Sequence, residues 1–164
     1  MSMPTTTRHA AARVVILASR VAVAVFLVMA VVQLAITVGI LPVTIVCGAS
    51  QHGRTWQTNV ASIVAAMILL GMAWIIHERA EATTTVTMPS TSLRVASWVV
   101  VLYMILNTLG NSLSTSAVER YVFGAMTEIL AICSVIVASS SSTVSEEQGY
   151  VNYQKDRSTY QSIP

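Results

Sequence analysis

Charge is what this chain has least of. Only 10% of its residues are Asp, Glu, Lys or Arg, against 54% that are hydrophobic, and the mean hydropathy is +0.69. A soluble domain carries about a quarter charged residues, so the composition excludes an ordinary water-facing surface. The net charge of +2 comes without a Lys/Arg cluster or an aromatic-interleaved basic stretch, which excludes a nucleic-acid partner. Cysteine is almost as scarce. Cys47 lies in a loop and Cys133 inside an apolar run, at depths too different for a disulfide, whose Cα atoms must lie within about 7 Å. Neither has a Cys or His at metal-ligand spacing, and His9, His52 and His77 are scattered, so no metal or cofactor is expected. Hydrolytic or redox chemistry would want clustered His, Asp or Cys, or a Ser–base pair. None is present, and the expectation is a non-enzymatic protein.

Long apolar runs are what the chain does have. Four of them, 21–41, 58–76, 95–113 and 121–138, contain a single formal charge between them, Glu128. At about 1.5 Å rise per residue, such runs cover roughly 27 to 32 Å, the thickness of a bilayer's hydrocarbon core. Continuous apolarity excludes a transmembrane β-barrel, whose strands are about 10 residues long and alternate in polarity. The expected fold is all-α, an integral membrane bundle of four antiparallel helices joined by short connections. Residues 1–20 precede the bundle, and 139–164 form a polar tail without apolar periodicity, expected to be disordered unless a partner orders it.

The placement of basic residues orients the bundle. Arg8, Arg13 and Arg20 precede the first run, Arg79 and Arg94 lie between the second and third, and Lys155 and Arg157 lie in the tail. Only Arg54 and Arg120 fall in the other two loops, so both termini are expected on the cytoplasmic side. The first run is too long for a cleavable signal and reads as an uncleaved anchor in the plasma membrane. The arginine-bearing, acid-free segment 1–20 keeps a mitochondrial inner-membrane location as the alternative.

Along the chain, Gly39 and Pro42 end the first run, and Thr58 or Asn59 could cap the second helix. The Thr-rich segment 77–94 reads as a surface connection, and Gly110-Asn111 as a stop signal for the third helix. Trp56, Trp74 and Trp98 sit where interfacial anchors belong. Ala61 with Ala65, Gly110 with Ser114, and Ala24 with Val28 have the spacing that lets helices approach closely in lipid.

The polar residues within the runs are the candidate site. Gln33, Asn107, Asn111 and Glu128 all fall in the outer half of the bundle. A carboxylate at that depth should face the interior or be protonated. The four residues form either a polar substrate or proton site, or a set of interhelical hydrogen bonds that fixes packing. Glu119-Arg120 reads as a structural cap at the mouth of the fourth helix. In the tail, Tyr150, Tyr153 and Tyr160 include a Tyr-x-x-apolar pattern and a Tyr-x-Asn pattern of the kinds used in sorting and phosphotyrosine docking.

The stretch Asn107-Thr108-Leu109-Gly110-Asn111, then Ser114, then Glu119-Arg120-Tyr121-Val122-Phe123-Gly124 resembles a group of small four-helix membrane proteins of bacteria. In that group an Asn-x-x-Gly-Asn end of the third helix is followed by Glu-Arg and then Phe-Gly-Pro at the start of the fourth. This chain departs at Ala125, where the group tends to have proline, and at Glu128, where it tends to be apolar. The resemblance implies architecture and no activity. Two functions remain: an interaction or accessory protein, associating with the bilayer and with a second copy or another membrane protein, or a small carrier or channel using the cluster around Glu128. Transporters usually show broken helices or internal repeats, and neither is found here.

Overall fold

A computed structural model describes residues 5–41, 56–84 and 90–140, with side chains from residue 10 onward and up to Thr83 before the second gap. Four helices are present: α1 (Thr5–Val38), α2 (Trp56–Thr84), α3 (Thr91–Leu113) and α4 (Gly124–Ser139), the last preceded by a π-helical turn at Glu119–Phe123. All four spans are long and apolar enough to cross a membrane. Consecutive helices run antiparallel. α1 packs most extensively on α2 and α3 on α4, with α1 against α4 joining the two hairpins.

The helices outrun the apolar limits read from the sequence. α1 begins in the polar segment before Arg20, since nothing in Ala10–Ser19 breaks a helix. It ends on Gly39, whose φ of 84° is left-handed and suits only glycine cheaply; Gly39 N–H donates to Ile36 O and Ile40 N–H to Ala35 O. α2 continues through His77-Glu78-Arg79 to Thr84 and α3 begins at Thr91, so most of the expected connection at 77–94 is helix instead. Good helix formers at Glu78, Ala80, Glu81 and Ala82, with a His77–Glu81 contact at 3.5 Å one turn apart, carry it onward. α2 also starts earlier than expected, at Trp56, which places Thr58 and Asn59 inside its first turn rather than at the cap. Gly110-Asn111 does not stop α3. The helix runs on to Leu113, and Ser114 caps it by donating its N–H to Asn111 O at 3.2 Å. Ser90 caps the other end, accepting from Leu93 N–H.

Small residues in a heptad-like rhythm make the core. α1 buries Ala18, Ala22, Phe26 and Ala30; α2 answers with Ala66, Leu69, Ala73, Ile76 and Ala80. Alanine at those positions brings the two backbones close, which is how helices gain dispersion contacts in lipid, where the hydrophobic effect between them is absent. The pairs expected to do this turn elsewhere: Ala24, Ala61 and Gly110 are exposed. α4 buries Thr127, Leu130, Cys133, Ser134 and Val137 against Val100 and Met104 of α3 and the rest of the core. Trp56 and Trp74 are exposed and 18 residues apart, about 27 Å along the axis, as a pair of interfacial anchors would be.

Candidate functional site

The α3–α4 hairpin carries Asn107, Asn111 and Glu128, and its turn is closed by side chains. Ser114 Oγ donates to Glu119 Oε2 and accepts from Ser116 N–H at 3.1 Å. Arg120 donates from Nε and Nη2 to Ser114 O at 3.2 and 2.7 Å. Glu119 and Arg120 therefore hold the last carbonyl and hydroxyl of α3 against the start of the π turn. Glu119 also stands in the first turn of the π-helical segment, where an acidic residue suits the helix dipole, although the segment's start has no side-chain cap bond from Val118. Gly124 follows with room to spare: a Cβ there would make ordinary contacts with Glu119 O at 3.6 Å and Asn111 Cβ at 3.8 Å.

Below the turn, Thr127 is 1% exposed. It donates back to Phe123 O and Gly124 O, and Asn111 Nδ2 reaches it across the hairpin at 3.4 Å. Among the described residues this is the one cross-helix hydrogen bond made by the four residues singled out in the sequence. Asn107 instead donates to Tyr103 O of its own helix at 2.9 Å. Gln33 is half-buried on α1, with its backbone oxygen taken by Thr37 Oγ1.

Glu128 departs from expectation most. It does not face the bundle interior but lies exposed on the outward surface of α4, and no described residue bonds to it. The helical rotation explains why: buried Thr127 and Leu130 flank it in sequence, which puts position 128 on the opposite side. The expected four therefore do not converge among the described residues: only Asn111 bonds across to another helix, and its partner, Thr127, was not one of them. Among the described residues no group of His, Cys, Asp or Glu could hold a metal ion. Cys133 is free and buried. Cys47 and the tail tyrosines Tyr150, Tyr153 and Tyr160 lie outside the described residues.

Sequence reasoning missed Arg79, which it assigned to a surface connection. Extension of α2 carries it to the end of the bundle opposite the α3–α4 turn, where it is 1% exposed. Its Nη2 donates to Ser140 O, the C-cap of α4, at 2.7 Å, and Thr83 Oγ1 lies 3.2 Å from Ser140 Oγ. The available signal was the unbroken run of helix formers after Trp74.

No family model, curated protein or solved structure matches the chain.

Proposed function

We propose that the protein is a non-enzymatic interaction protein of the plasma membrane that associates with a second copy of itself through the outward face of α4. The observation that carries this reading is the position of Glu128. It is the tenth residue of the 21-residue span Glu119–Ser139, close to mid-depth, and it faces away from its own bundle. A carboxylate facing lipid at that depth costs about 2.5 to 3.5 kcal/mol on insertion scales, which is why such groups almost always turn inward or find a partner. The other three spans contain no charge at comparable depth. A second copy with the same orientation in the membrane supplies its own Glu128 at the same depth, so the two carboxyls meet across a two-fold axis.

The surrounding face suits a helix seam. Tyr121, Ala125, Glu128, Ile132, Val135 and Ser139 are all exposed and recur at spacings of three and four. A single polar residue within an apolar seam fixes register and partner number. Arginine placement supports cytoplasmic termini in this reading. The carrier alternative needs Gln33, Asn107, Asn111 and Glu128 to converge, and it draws no support from an arrangement in which Glu128 points outward. The mass of the protein in lipid nanodiscs tests the proposal: a dimer is expected for wild type and a shift to monomer for Glu128→Leu. A wild-type monomer at every protein-to-lipid ratio would overturn it.

A further inference from the structure

The Arg79 guanidinium makes one hydrogen bond among the described residues, from Nη2 to Ser140 O at 2.7 Å. Its Nε and Nη1 are buried and meet no acceptor, and the side chain as a whole is 1% exposed. Arg94 is near enough for its positive charge to be felt there. No described carboxylate bonds to the guanidinium: Glu78 accepts from Trp74 Nε1, Glu81 faces His77, Glu119 is tied to Ser114, and Glu128 lies outward. A buried cation without a counter-charge weighs against the closed arrangement.

What encloses it is slight. Ser140 is the C-cap of α4, and its N–H reaches Val137 O at a long 3.4 Å. From α2, Arg79 and Thr83 reach it, the second through a 3.2 Å contact between hydroxyls. The same stretch of α4 holds another buried polar atom without a partner, Ser134 Oγ, under two turns before Ser140. Arg79 itself lies four residues from the end of the span Trp56–Thr83, about one helical turn from the aqueous phase.

We propose that the last turns of α4, Ser134–Ser140, form a two-state element that opens away from α2 and lets water reach Arg79. The charge drives the opening. In the closed state the guanidinium is stripped of water for one bond, and in the open state it is hydrated on every nitrogen. The open form presents a cation at this end of the bundle, so an acidic group can pair with Arg79 only once the turn has released. The device does not rest on association through the outward face of α4.

Hydrogen–deuterium exchange of the full-length protein in neutral-lipid nanodiscs tests this, read by mass spectrometry on peptides covering Ser134–Ser140. Arg79→Met keeps a long unbranched side chain and removes the charge. Exchange over Ser134–Ser140 should then slow about tenfold, even though a hydrogen bond has been lost. Arg79→Lys keeps the charge and should exchange as fast as wild type. Arg94→Gln, at an exposed position, should slow exchange about twofold by removing a like charge. Peptides from the α1–α2 hairpin outside the Arg79 turn should be unchanged in all three variants. Unchanged or faster exchange in Arg79→Met would overturn the proposal, because the bond to Ser140 would then be a simple clamp. A Lys variant slowed as much as the Met variant, an unchanged Arg94→Gln, or equal slowing across α1 and α2 would also overturn it. So would failure of Arg79→Met to fold, since the cation would then be needed by the closed bundle.

Discussion

Glu128 and Thr127 are adjacent in sequence and opposite in role. Thr127 is enclosed and bonded from α3, whereas Glu128 is exposed and hydrogen-bonds to no described residue. Thr127→Val should therefore cost about 0.6 kcal/mol, the average for an interhelical hydrogen bond in lipid. Asn111→Ala should cost a similar amount, and the pair should be non-additive because both remove one bond. Thermal unfolding of the three variants in detergent checks this, and full additivity would mean that the 3.4 Å contact contributes nothing. Glu128→Gln should leave the stability of the isolated bundle within about 0.5 kcal/mol, as for any exposed site away from a network. A large loss in monomeric protein would place the side chain back in the interior. At this scale the sequence placed Glu128 in the interior, where the structure turns it outward, and passed over Thr127, which the structure buries. Depth can be counted along a run, but rotation cannot be read when every side of the helix is apolar.

The α1–α2 hairpin shows where rotation is legible after all. Alanines at Ala66, Ala73 and Ala80 recur every seven residues, interleaved with Leu69 and Ile76, and this stripe is the buried one. Pairs such as Ala61 and Ala65 satisfied a local spacing rule without belonging to a sustained repeat, and they face outward or lie half-exposed. Ala22, fully buried, leaves no room for a larger side chain. Ala22→Leu should destabilise by about 1 to 3 kcal/mol through overpacking, while Ala24→Leu should be tolerated. Equal effects at the two positions, measured by unfolding in detergent, would contradict the assigned face. Helix ends were less readable, because apolarity marks where the membrane stops and not where hydrogen bonding stops. Gly39 was read correctly as an end, since its backbone conformation is one other residues avoid. In the α3–α4 turn, Gly124→Ala should be neutral to stabilising by up to about 1 kcal/mol, because a Cβ makes only ordinary contacts there and alanine favours the helix. A marked loss would mean that the π turn needs a closer approach than 3.6 Å.

At the scale of the molecule, four helices of membrane-spanning length leave apolar side chains such as Leu102, Leu106 and Ile132 facing outward all round, as lipid contact requires. This level was the most legible, because run length and lack of charge translate directly into a span. Cysteine labelling from outside intact cells should modify Cys47 and leave a Ser90→Cys variant untouched; the reverse pattern would invert the orientation that the arginines support. The account's central claim is that the outward face of α4 is a contact between copies. Disulfide cross-linking in native membranes tests it most directly, with Cys47 and Cys133 replaced and single cysteines placed in turn at Ala125, Ile132, Thr127 and Leu102. Cross-linked dimers are expected from positions 125 and 132, which share the Glu128 face, and not from 127 or from 102 on α3. Dimers forming equally at position 102, or at none of the four, would contradict it.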